Sequence, residues 1–174
     1  VGLLDGGRPL RRPPYRDPHH SASLPALVGG GTKAKPGEIS LAHNGLLFLD
    51  ELPEFSRSVL EVLRQPLEDR HISISRARYS LDYPASFMLV ASMNPCPCGY
   101  YGVGDRCTCT PGMRMSYMAK LSGPLMDRID LQLIMKPIDP KTMMRKRPAE
   151  STAEIAERVR KARERQKERL ASEE

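Results

Sequence analysis

Gly45-Leu46-Leu47-Phe48-Leu49-Asp50-Glu51-Leu52 joins four consecutive apolar residues to two carboxylates. An unbroken apolar run of that length predicts a strand buried on both faces, as in a parallel sheet covered by helices. The carboxylates then fall at the strand's carboxyl end, where open α/β sheets place their ligands. A second run, Phe87-Met88-Leu89-Val90-Ala91, ends in Ser92-Met93-Asn94-Pro95. Between the two, residues 56–68 set Val59, Leu60, Val62, Leu63 and Leu67 on one helical face, with Ser56 or Ser58 as N-cap. Strand, crossover helix and parallel strand form a right-handed βαβ unit. The fold class is therefore α/β, and Asn94 is carried to the same sheet edge as Asp50 and Glu51.

That edge has a chemistry. An Asp-Glu pair ending a buried strand is the Walker B arrangement of nucleotide hydrolases. Asp50 would hold Mg2+, through water, and Glu51 would polarise the attacking water. A neutral amide such as Asn94 orients that water or touches a γ-phosphate without competing for the metal. The competing readings are bland: an apolar strand that stops at an acidic loop, and a turn asparagine before Pro95.

Three blocks carry a resemblance. GEISLAHNGLLFLDELPEFSRSVLEVLRQPLEDR (37–70), FMLVASMNPCPCGYYG (87–102) and LSGPLMDRIDL (121–131) resemble the magnesium-chelatase-like AAA+ ATPases of bacteria, in the ComM/YifB group. The likeness runs from about Pro14 to the end of the chain. It implies a partial AAA+ core over residues 1–139, a parallel sheet flanked by helices with β-hairpin insertions. Residues 140–174 become a linker and the first helix of a lid domain. It implies ATP and Mg2+ at Asp50, Glu51 and Asn94, the last as sensor-1 residue. It also implies that Arg128 is an arginine finger offered to the neighbouring subunit's ATP, and hence a homo-oligomer, a hexameric ring. A guanidinium there spreads charge over the γ-phosphoryl oxygens as the bond breaks. The bland alternative for Arg128 is an ion pair with Asp127 or Asp130.

No G-x-x-x-x-G-K-[ST] occurs; Gly29-Gly30-Gly31-Thr32-Lys33 has the wrong order for a phosphate cradle. In the resembled family the Walker A loop lies upstream of the aligned segment, and a sensor-2 arginine lies downstream. The chain opens on Val1 rather than Met. These features fit a partial sequence holding half of an ATP site, not expected to hydrolyse ATP alone.

The chain's 174 residues fit one domain with a real core, and its 40% apolar and 28% charged content is ordinary for a globular chain. No apolar stretch approaches membrane-spanning length and nothing resembles a signal peptide, so a cytoplasmic protein without membrane contact is expected. Of the net charge of +6, most sits in residues 141–174, which carry eleven Lys/Arg against seven Glu. Such basicity permits nucleic-acid binding without demanding it.

Pro14-Tyr15-Arg16-Asp17-Pro18-His19-His20 resembles the family's RPF-R-x-PHH signature, departing from it at Pro13 and in having Tyr15 for Phe. The adjacent histidines read as structural, since no further ligands stand near them in sequence. The glycine run before Lys33 and Lys35 corresponds to an insertion that projects toward the ring's pore. His71–Ser75 and Tyr79–Tyr83 alternate apolar and polar residues around Arg76-Ala77-Arg78, predicting a β-hairpin. Lys33, Lys35, Arg76 and Arg78 are candidate contacts to a nucleic-acid backbone. The alternative is solvated surface.

All four cysteines, Cys96, Cys98, Cys107 and Cys109, form two Cys-x-Cys pairs in a loop after Asn94. Four thiolates suit a closed, structural tetrahedral Zn2+; free thiols are the alternative. Ser151-Thr152-Ala153-Glu154 is a capping box opening a helix through about Leu170. The leading function is a ring-forming ATPase that remodels DNA, a branch-migration helicase of ComM type in competence and recombination. The alternatives are a magnesium-chelatase subunit acting on a porphyrin, and a zinc-stabilised nucleic-acid-binding module without catalysis.

Overall fold

The computed structural model describes residues 12–30, 34–76, 79–135, 137, 138, 141, 144 and 150–172, the side chains of Arg76 and Tyr79 excepted. Strand β1 (Tyr15–Arg16) is followed by α1 (Leu24–Val28), the two-residue strands β2 (Gly29–Gly30) and β3 (Lys35–Pro36), and α2 (Glu38–Leu41). Then come β4 (Leu46–Leu49), α3 (Arg57–Val62), α4 (Arg64–Asp69), β5 (His71–Arg76), β6 (Tyr79–Pro84) and β7 (Met88–Ala91). After the cysteine loop lie α5 (Pro111–Met118), α6 (Gly123–Met126) and the long α7 (Thr152–Ala171). Two units, Val1–Leu133 and Ile134–Glu174, are each compact by themselves.

The first unit is an α/β structure built on a parallel sheet of order β1-β4-β7. Leu46 to Leu49 pair in register with Met88 to Ala91, so the two apolar runs lie side by side as parallel strands. Leu47 and Leu49 are buried, while Leu46 and Phe48 on the other face are only half-covered. Full burial of both faces was the expectation; helices cover one face well and the other in part. β7 departs further, with Met88 56% and Val90 38% exposed. Among the described residues it is an edge strand, and an edge leaves side chains uncovered on both faces.

The crossover is helical but interrupted. Ser56 caps α3 by accepting the Val59 N–H, as its spacing predicts. A single helix over 56–68 does not form: Leu63 separates α3 from α4. Pro66 explains the break, since it brings no N–H to the Val62 carbonyl and its ring crowds that turn. Val59, Leu60, Leu63 and Pro66 still face inward. They pack with Leu27, Ile39, Leu47, Leu49 and Leu125 in the core, each such aliphatic side chain contributing about 1.5–3 kcal/mol on burial.

β5 and β6 form the expected antiparallel hairpin, with Ile72 and Ile74 buried and Ser73 and Ser75 exposed. β2 and β3 also pair antiparallel, and Gly29 and Gly30 have φ of 99° and 117°, which residues bearing a Cβ rarely adopt. In the second unit, α7 carries the complete reciprocal capping box of Ser151 and Glu154, and its side chains are exposed.

β1 is short and is held from two sides. Arg16 Nε and Nη2 donate to both carboxylate oxygens of Glu38, at 2.5 and 2.6 Å. The Leu46 N–H donates to the Pro14 carbonyl at 2.9 Å, which draws the chain before β1 over Gly45. A Cβ on Gly45 would run into that same carbonyl oxygen and the Pro14 ring. Gly45→Ala should therefore prise β1 from β4 and cost about 3 kcal/mol, the upper range for overpacking. Denaturant unfolding checks this; an unchanged midpoint would show that β1 is not seated as described.

Candidate functional site

The chain leaves β4 through Asp50 and then bends sharply at Glu51, whose φ of 53° and ψ of 48° are left-handed. That conformation is uncommon for a residue with a Cβ and recurs where function fixes the backbone. Asp50 Oδ1 accepts two hydrogen bonds, from the Glu51 N–H at 3.0 Å and from the Ser92 hydroxyl. Ser92 is the first residue past β7. Its own N–H donates to the Leu49 carbonyl at 3.0 Å, and its carbonyl receives the Leu52 N–H at 2.9 Å. The two strand ends are thus laced together just where the acidic pair emerges.

Among the described residues no Lys, Arg or His pairs with Asp50, which is exposed and so presents an uncompensated carboxylate. A hard cation with its water shell suits such a group. Glu51 meets the loop after β1: His20 Nδ1 lies 3.2 Å from Glu51 Oε2. His20 is in turn steadied by the His19 ring, 4.0 Å away, and by an edge contact to Phe55. Asp17, Pro18, His19, His20, Phe48, Asp50 and Glu51 line a cleft of about 270 Å³ at this edge.

Asn94 stands three residues beyond β7, exposed, with its amide beside Gly99 of the cysteine loop. Tyr117 of α5 is buried near it. Burial raises the phenol's pKa, helped by the nearby charges of Glu54 and Glu51, while a hydrogen bond with the Asn94 backbone opposes the rise. The structure places Asp50 and Glu51 at the end of β4 and Asn94 three residues past the adjacent β7, and it adds Ser92 and His20 as partners of the acidic pair and Tyr117 nearby, which local sequence patterns do not reveal. Only the proline-histidine signature offered a signal, and it did not identify Glu51 as the partner.

Arg128 is not part of this cleft. It follows α6, donates through Nη1 to the Pro124 carbonyl at 2.6 Å, and pairs through Nη2 with Glu68 on α4. The guanidinium beside it holds the Glu68 carboxyl below its ordinary range. An ion pair does exist, then, but with Glu68 rather than with Asp127 or Asp130. Lys35 lies exposed on β3. Arg76 ends β5, its side chain outside the described set, and Lys33 and Arg78 lie outside the described residues.

The four thiols converge. Sγ atoms of Cys96 and Cys98 are 3.4 Å apart, those of Cys96 and Cys107 3.8 Å, and those of Cys98 and Cys107 3.7 Å. All four, Cys109 included, lie within 4.8 Å of one another. A tetrahedron of sulfurs at about 2.3 Å from zinc has edges of about 3.8 Å, so the set fits that ion. Backbone hydrogen bonding at Tyr100 draws the Cys98 thiol down to about 6, while Cys109 is pushed up to about 11, a backbone hydrogen bond at Cys98 being outweighed by burial and the neighbouring thiols, so the fit to the ion rests on the convergence of the sulfurs.

Comparison with known proteins places this geometry. Residues 2–143 match the family described as magnesium chelatase, subunit ChlI. The chain is 54% identical over 158 residues to the uncharacterized protein YifB of Escherichia coli, covering 90% of this chain and 31% of that protein. It is 54% identical over 158 residues to the competence protein ComM of Haemophilus influenzae, with the same coverage of 90% and 31%. The magnesium-chelatase 38 kDa subunit of Acidiphilium rubrum is 31% identical over 70 residues, 40% of this chain and 20% of that subunit. The chain thus spans about a third of the length of the YifB and ComM proteins it matches. By sequence and by its parallel α/β sheet, the chain belongs to the magnesium-chelatase-like family of AAA+ type, in its ComM/YifB group.

Proposed function

We propose that this chain supplies the Walker B, sensor-1 and arginine-finger half of an ATP site in a ring-forming ATPase that remodels DNA. The observation that carries the reading is the lacing of the β4 and β7 ends, Ser92 hydroxyl to Asp50 carboxylate, with Glu51 next after Asp50 and Asn94 two residues past Ser92. Mg2+, when bound, shields the phosphate charge. Asp50 would hold the ion through water with the carboxylate oxygen left free, since Ser92 and the Glu51 N–H fix the other. Glu51 accepts a hydrogen bond from the attacking water and increases its nucleophilicity. Asn94, three residues past β7, donates toward the terminal phosphate. Arg128 exchanges Glu68 for the phosphate of the neighbouring subunit. In this reading residues 1–139 belong to the AAA+ core and 140–174 lead into the lid; the protein acts in the cytoplasm as a hexamer. Lys33, Lys35, Arg76 and Arg78 are the residues proposed to contact the nucleic-acid backbone.

The kinship to ComM supports DNA as the substrate, while the kinship to a chelatase subunit supports the porphyrin alternative. One experiment separates them. The full-length protein with ATP and Mg2+ should dissociate a three-stranded DNA junction and leave a porphyrin unmetallated. Porphyrin metallation with no effect on the junction would reverse the assignment.

The cysteine cluster is assigned to structural Zn2+, closed by four thiolates. Protein purified in reducing buffer should hold about one zinc per chain, and Cys96→Ser should lose it, because a serine hydroxyl is a poor zinc ligand. Metal analysis showing no zinc, with four thiols titrating in the native state, would reject the site.

A further inference from the structure

Two tyrosines follow the first cysteine pair after Gly99, and neither is buried: Tyr100 is 48% and Tyr101 52% exposed. Exposed aromatics of this size ask for a reason, and here they are held firmly. Both lie in the loop between the two cysteine pairs, whose four sulfurs all lie within 4.8 Å of one another. Each ring carries a guanidinium over one face. The Arg106 guanidinium carbon is 5.9 Å from the Tyr100 ring centre, and that of Arg114 4.5 Å from the Tyr101 ring centre. Arg114 is itself fixed, donating through Nη1 to the Cys109 carbonyl at 2.7 Å. Arg106 and Arg114 outweigh the single local acid, Asp105, and nearby Lys120 is engaged with Glu54.

Two rigid aromatic rings, each backed by a cation, match one ligand chemistry. A base stacks on a ring face, the guanidinium behind the ring strengthens that stack, and the arginines neutralise phosphates. An acidic peptide would satisfy the arginines but would leave two half-exposed rings without partners. We infer that Tyr100, Tyr101, Arg106 and Arg114 form a platform for single-stranded nucleic acid, built on the four-cysteine loop. The inference rests on the reading that the protein works on nucleic acid and is independent of the ATPase assignment. It gives the cysteine loop a purpose beyond fold stability, since the Cys109 carbonyl holds the Arg114 guanidinium that covers the Tyr101 ring.

The test is fluorescence anisotropy of the full-length protein, without nucleotide, with labelled oligo(dT), oligo(rU) and a duplex. Single strands should bind better than the duplex, and the two single-strand arms show whether the sugar is distinguished. Tyr100→Ala with Tyr101→Ala should weaken single-strand binding about tenfold or more, since each lost stack is worth about 5- to 150-fold. Phenylalanine at both positions should restore it. Replacing Arg106 and Arg114 by Gln should lower the salt slope of binding by about 0.7 per arginine. Zinc content, unchanged in the Phe and Gln variants, shows that the loop stays intact. Unaltered affinity in the alanine variant, or phenylalanine no better than alanine, overturns the platform while leaving other DNA contacts standing. A wild-type protein that binds no strand overturns both the platform and the nucleic-acid reading.

Discussion

In the full-length protein, Glu51→Gln should bind ATP and Mg2+ with near wild-type affinity and hydrolyse it about a hundredfold or more slowly, the range for removing a general base. The substitution keeps the size of the side chain and its position at the left-handed turn after β4. It also leaves Asp50 and its bonds to Ser92 and the Glu51 N–H untouched. What it removes is the negative oxygen that receives the water's proton. Binding measured by calorimetry, alongside phosphate release, separates the two effects. Normal turnover would sink the assignment of Glu51, and loss of binding would move its role from the water to the nucleotide.

Arg128 carries the second large effect. An arginine finger contributes about 10³–10⁵ to the rate of phosphoryl transfer, so Arg128→Ala should reduce hydrolysis on that scale. The same loss would follow if its bond to Glu68 were essential to the fold of its own subunit. Two comparisons separate these causes. Glu68 is exposed, so Glu68→Gln should leave turnover nearly intact if Arg128 serves the neighbour, because an exposed ion pair adds little to stability. Mixing Arg128→Ala with Glu51→Gln subunits creates some interfaces with both groups intact. Partial recovery of ATPase supports action between subunits. Co-assembled mixed rings without recovery, together with an inactive Glu68→Gln variant, would make the ion pair structural.

The readable parts of this chain were those encoded by neighbours in sequence. Four apolar residues before Asp50 specify a strand and its exit, the 71–83 alternation specifies the hairpin, and Ser151 with Glu154 specifies the start of α7. Two Cys-x-Cys pairs on one loop converge because the chain between them is short enough to return. The break at Leu63 was latent in Pro66, but the apolar face continues across it and masked the interruption. His20 and Ser92 were illegible for a different reason. Their contacts to Glu51 and Asp50 depend on three strands lying in a particular order and register, which no single segment contains. Tyr117 is the same case, a helix residue whose partners come from the ends of two strands.

The central claim is that the ends of β4 and β7 form one half of an ATP site. The most direct measurement is a structure of the full-length protein with Mg2+ and a slowly hydrolysed ATP analogue. The metal should lie about 4 Å from the Asp50 carboxylate, one water apart, with the terminal phosphate between Glu51 and Asn94 and the neighbour's Arg128 turned toward it. A nucleotide bound elsewhere, with Asp50 still linked to Ser92 and facing only solvent, would contradict the account.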